Sequence, residues 1–151
     1  MLHSSFNKYG LIGLMAMIIG STGCKKEELF SNVPSIRLNS VSPTVVKELE
    51  DPIFFDLEYT DGDGDLGEND PDAKNLIVID PRINIKYEFR IQQLVPDPSN
   101  VPIKGTLVFS IPNAYITDGS NQQQVNYQIY VKDRAGNQSN TVTSSTITIN
   151  K

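Results

Sequence analysis

The stretch Val125–Asp133, VNYQIYVKD, decides the fold class. Val125, Tyr127, Ile129 and Val131 fall on one side of an extended chain; Asn126, Gln128, Tyr130 and Lys132 fall on the other. Side chains of a strand alternate between faces, so this period of two marks a strand with one buried face. The same reading extends outward. GTLVFSIP groups Leu107, Phe109 and Ile111, and STITIN groups Ile147 and Ile149. IFFDLEYTD, NLIVID and IKYEFRIQQL are rich in β-branched and aromatic residues. Asp-Pro, Pro-Asp-Pro, Asp-Gly and Ala-Gly-Asn separate the runs, and these are turn formers. Helical periodicity is not evident from residue 35 onward.

Seven strands are expected, near 35–41, 53–59, 76–80, 85–93, 105–111, 124–132 and 142–150. Short alternating strands with regular punctuation predict an all-β, antiparallel, immunoglobulin-like sandwich over residues 35–151. The Cys…Trp…Cys hallmark of antibody domains is absent, because the chain has one cysteine and no tryptophan. The core must therefore rest on burial of Ile, Val, Leu, Phe and Tyr. No repeat of 20–50 residues is visible, which indicates one module.

Upstream of the sandwich the sequence changes character. MLHSSFNKYG carries Lys8 and no acid, LIGLMAMII is an apolar run over 11–19, and STGC follows. A short positive segment, a short apolar core and small residues form the pattern of a secretory signal peptide over residues 1–23. A membrane-spanning helix needs about 20 apolar residues, and this run is too short. The lone Cys24 cannot form an internal disulfide. STGC resembles the lipobox of bacterial lipoproteins, with Gly23 matching and Ser21 standing where Leu is usual. The resemblance implies that Cys24 is acylated and becomes the mature N-terminus, tethered to an outer membrane. Ordinary secretion with a free thiol is the alternative.

Residues 24–34, CKKEELFSNVP, read as a solvated tether. Lys26-Glu27-Glu28 resembles the export signal that follows the lipid cysteine in surface lipoproteins of the Bacteroidota, which implies exposure at the cell surface. Removing residues 1–23 takes away Lys8 alone. Twelve Lys and Arg then stand against eighteen Asp and Glu, a net charge of −6. That balance opposes nucleic-acid binding, which uses basic patches. It also opposes adsorption of the folded part to an anionic membrane.

TDGDGDLGENDPD (60–72) collects Asp61, Asp63, Asp65, Glu68, Asp70 and Asp72 without one Lys or Arg. It connects the second and third expected strands. KDRAGNQSN (132–140) connects the sixth and seventh, and in such a sandwich the two loops lie at one end. Asp133 and Asn137 are thus expected beside Asp61, Asp63 and Asp65. The entry segment, with Asn32, starts at the same end. Calcium takes six to eight oxygens of carboxylates, amides and carbonyls, so it suits this gathering. Gly62 and Gly64 let the loop curl. An EF-hand is rejected: Leu66 occupies the place of its required glycine and Asp72 that of its terminal Glu. The alternative is a solvated acidic loop whose repulsion salt screens within about 10 Å.

TDGDGDLGEND is similar to the TDADxGxN stretch of cadherin domains, and YQIYVKDRAGNQSNTVTSSTITI to their closing pattern. Small Ig-like lipoprotein domains of the Bacteroidota are also similar. The resemblance implies calcium ligation by Asp61, Asp63 and Asp133 at the pole where the tether enters. That would turn this pole towards the membrane.

Catalysis has few residues to use. His3 is the only histidine and belongs to the leader, so neither a Ser-His nor a Cys-His pair can form. Zinc sites need His or Cys. Tyr87, Phe89 and Tyr127 sit at strand spacing and read as core. The expectation is a non-enzymatic envelope lipoprotein, a binding, adhesion or structural module with a protein or glycan ligand. An accessory subunit of an outer-membrane nutrient-capture assembly is the alternative.

Overall fold

The computed structural model describes residues 30–98 and 100–151. The expected signal peptide, Cys24 and most of the tether lie outside the described residues. Among those described, no helix is long and apolar enough to cross a membrane.

The structure is all-β. Its strands are β1 (Ser35–Ser42), β2 (Val45–Lys47), β3 (Ile53–Asp61), β4 (Leu76–Asp80), β5 (Ile85–Phe89), β6 (Ile103–Ile111), β7 (Gln122–Val125), β8 (Gln128–Val131), β9 (Val142–Thr143) and β10 (Ile147–Asn150). They form three sheets, ordered β1-β3-β6, β5-β4-β8-β9 and β2-β10-β7. All pairs are antiparallel except β2 with β10.

Among the described residues ten strands in three sheets replace the expected seven, and side chains that imitate backbone account for two of the three additional strands. The sixth expected strand breaks at Asn126 and the seventh at Ser144. Ser144 lies opposite Tyr127: its N–H donates to the Tyr127 carbonyl at 2.8 Å, and its hydroxyl accepts from the Tyr127 N–H at 2.9 Å. Asn126 Nδ2 donates to the Ser144 carbonyl. With these groups satisfied, both segments leave the β10-β7 pairing and join the sheet of β8 and β9. The fourth strand stops at Phe89 instead of 93. Beyond it the buried Asn75 amide donates to the Ile91 carbonyl and accepts from the Ile91 N–H. The short β2 was not anticipated; it carries a single buried side chain, Val46.

One apolar core unites the sheets. Ile53, Phe55 and Leu57 of β3 meet Val78 of β4, Ile129 and Val131 of β8, and Ile147 and Ile149 of β10. All are fully buried, as the alternation in β3, β8 and β10 predicts. Phe55 stacks on Phe109 with centroids 5.0 Å apart and meets Tyr127 edge-on at 5.9 Å. Tyr127 is fully buried; Tyr87 and Phe89 are half-buried at the margin of the core.

Candidate metal centre

The acidic loop begins where β3 ends, so Asp61 continues the inward-facing series Ile53, Phe55, Leu57, Tyr59. That parity places a carboxylate, 0% exposed, at the floor of one pole. Leu66, also fully buried, pins the loop to the core five residues later. Its N–H donates to Asp61 Oδ2 at 2.9 Å, and its backbone pairs with Asp133. Between these anchors the chain must turn tightly. Gly64 adopts φ +74°, and a side chain there would run into the Val101 carbonyl. Gly64→Ala should therefore cost about 1–3 kcal/mol of stability, for strained backbone and displaced loop. A urea titration reads it, and a loss below about 0.5 kcal/mol would contradict this account of the turn.

The curl turns Asp61, Asp63 and Asp65 inward. Each offers an oxygen, all within 4.8 Å of one another. Two ligands bound at about 2.4 Å to one calcium ion lie at most about 4.8 Å apart, so the spacing suits a shared ion. Oδ1 of each of the three is buried and has no hydrogen-bond donor among the described residues. The other oxygens are partly used: Asp65 Oδ2 accepts from Ala135 N–H at 3.0 Å. A buried carboxylate oxygen without a partner is costly, and a cation removes that cost.

The second loop meets the first. Arg134 N–H donates to the Asp65 carbonyl at 3.2 Å. Asp133 is buried beside the cluster, but both its oxygens accept from Asn137, from the N–H at 2.7 Å and from Nδ2 at 2.8 Å. The five residues named from sequence thus divide. Asp61, Asp63 and Asp65 converge, while Asp133 and Asn137 form a neighbouring hydrogen-bonded pair. Two other acids of the run stand apart: Asp70 and Asp72 are exposed, and Asp70 Oδ1 accepts from Asp72 N–H in a local turn. At the entry segment Ser31, and not Asn32, makes the contact, its carbonyl accepting from Gly62 N–H at 2.8 Å.

Burial pushes the Asp61 carboxyl up to about 6; the charges of Asp63, Asp65 and Asp133 add to this, and the Leu66 N–H opposes it. Asp65 is raised for the same reasons, against the pull of the Ala135 N–H and Arg134. An acid whose folded pKa exceeds its unfolded value binds more protons when folded. Its contribution to stability falls as pH rises between the two values. In calcium-free buffer, lowering the pH from about 7 to about 5 should therefore raise the unfolding free energy contributed by Asp61. Denaturant titrations of wild type and Asp61→Asn at both values isolate that contribution. A wild type losing stability relative to the variant on acidification would contradict the burial of this carboxyl.

Sequence reasoning missed Arg134. Its guanidinium donates to the Gly67 carbonyl at 2.6 Å and to Asp97 at 3.0 Å, joining three loops over the cluster. The available signal was its place as the one cation inside the 133–140 turn. Together with Asp63, Asp65, Asp97 and Asn100 it lines an open polar cleft. No family model matches the chain, and no curated protein matches its sequence.

Proposed function

We propose that this chain is a non-catalytic, Ig-like and cadherin-like module of the cell envelope, lipid-anchored through Cys24, stabilised by calcium, and acting in binding, adhesion or structure. One observation carries the calcium reading: the buried Oδ1 atoms of Asp61, Asp63 and Asp65, which have no donor among the described residues and belong to carboxylates that converge. Hard oxygen ligands, without His or Cys, favour calcium over zinc or copper. The strand orders β1-β3-β6 and β5-β4-β8-β9 support the Ig-like reading, since they follow the A-B-E and C′-C-F-G orders of that sandwich. The lipobox-like STGC supports the anchor, and the Gly62 N–H donating to the Ser31 carbonyl supports entry of the tether at the acidic pole.

Equilibrium calcium binding by the full-length chain tests the site. Saturable binding that Asp63→Asn weakens is the expected result, and no binding at millimolar calcium would remove it. Labelling of producing cells with a palmitate analogue tests the anchor. Incorporation is expected in wild type and not in Cys24→Ala; equal label in both would remove the anchor.

A further inference from the structure

Strand β6 closes its sheet on one side only. It pairs with β3 along all nine residues, from Ile103 opposite Asp61 to Ile111 opposite Ile53. No described strand pairs with its other edge. In the facing sheet β5 is likewise terminal. Between these edges runs an apolar cleft lined by Leu76, Phe89, Ile91, Leu94, Leu107 and Phe109. Leu107 and Phe109 point towards the core yet are only partly buried, and no described strand lies over them on this side.

Proteins usually blunt such an edge with proline, inward charge or a bulge. β6, IKGTLVFSI, has no proline, one outward charge at Lys104, and an unbroken register with β3. Its outward Val108 is 70% exposed.

We propose that β6 is a homotypic interface, pairing antiparallel with β6 of a second copy about a two-fold axis at Leu107. Centring on Leu107 is the register that uses all nine residues. Ile103 then faces Ile111, Lys104 faces Ser110, Gly105 faces Phe109, Thr106 faces Val108, and Leu107 faces itself. The pattern is self-complementary. The strand's single charge meets a hydroxyl instead of its own copy, which avoids like-charge opposition. Thr106 against Val108 is a β-branched pair on the outer face. Phe109 lies across from Gly105, whose side-chain position the Tyr59 ring already fills, so two aromatic rings meet there. Isologous pairing of this kind closes at two copies and leaves no further β6 edge for a third. The inward side chains of the second β6 cover the apolar cleft. The axis inverts one copy relative to the other, so the two entry segments emerge at opposite ends. The interface depends on β6 and not on the acidic pole, so it stands or falls separately from calcium.

The test is the mass of the full-length chain by sedimentation equilibrium, in density-matched detergent where acylation requires it. Wild type is expected to reach twice the mass of its own monomer. Thr106→Lys with Val108→Lys sets like charges across both Thr106–Val108 pairs and should weaken the dimer about tenfold. Thr106→Glu with Val108→Lys sets opposite charges at the same positions and should retain it. Both sites are exposed, so unchanged circular dichroism and melting are expected in each variant. A wild type that stays monomeric to about 100 µM, too weak for a specific dimer, overturns the proposal. So do two double variants that dimerise equally. An edge that takes an extended peptide of another protein would give the first of these outcomes.

Discussion

Asp61→Asn is expected to unfold in calcium-free buffer at or above the temperature of the wild type, and to gain nothing when calcium is added. Both halves follow from one carboxylate. Asp61 is fully buried, and its Oδ1 has no donor among the described residues. Without an ion, the charge is held there against burial and against three neighbouring carboxylates. An amide removes the charge, and its oxygen can still accept from the Leu66 N–H. With an ion the balance reverses. Binding to the folded state alone adds RT ln(1 + [Ca]/Kd), about 2.7 kcal/mol at a hundredfold excess over Kd. For a domain of this size that corresponds to roughly 10 °C in Tm for the wild type. Differential scanning calorimetry with chelator and with millimolar calcium reads all four values. A purely structural role for Asp61 predicts the opposite sign in chelator, with the variant melting lower. A wild type indifferent to calcium would leave the acidic loop as a solvated turn.

Phe55→Ala should produce the largest loss of stability of any single truncation named here, about 3–5 kcal/mol. Phe55 is fully buried in β3, the strand shared by β1 and β6. Its ring is the hub of an aromatic chain: stacked on Phe109, edge-on to Tyr127, with Phe89 beyond Phe109 and Tyr87 beyond Tyr127. Those contacts join the β3–β6 sheet to the β4–β8 sheet, so truncation opens a cavity at the junction of the two. Aromatic pairs add about 0.5–1.5 kcal/mol beyond burial of area, which places this site towards the upper part of the range. Val108→Ala, on the same sheet but 70% exposed, should change stability by less than about 0.5 kcal/mol. Chemical denaturation of the two variants measures the contrast. Equal losses would mean that the sheets do not pack through this ring.

These expectations rest on features that were unevenly legible in the sequence. Strands β3, β8 and β10 were plain because one face of each is buried, and burial imposes a period of two on the residues chosen. The convergence of the two polar loops followed from the expected sandwich, in which both connections lie at one end. Three features were hidden, each for a physical reason. Ser144 and Asn75 satisfy backbone groups of Tyr127 and Ile91, which are distant in sequence. No local pattern announces such a partner, so neither the breaks in the sixth and seventh strands nor the early end of the fourth shows in the sequence. β2 buries only Val46, too little for periodicity to show. Within the acidic run, composition makes the carboxylates look alike. What separates Asp61 from Asp70 is strand parity: Asp61 continues the inward face of β3, whereas Asp70 lies in a turn. Arg134 illustrates a further limit. Its partners are the Gly67 carbonyl and Asp97, and their proximity depends on three loops at once.

The most direct measurement is a crystal structure of the full-length chain from calcium-containing solution, with anomalous data. One strong anomalous peak is expected, bound by Oδ1 of Asp61, Asp63 and Asp65 at about 2.3–2.6 Å, with water or loop oxygens completing six to eight ligands. The same three oxygens bonded only to water or to protein donors, with no peak between them in millimolar calcium, would contradict it.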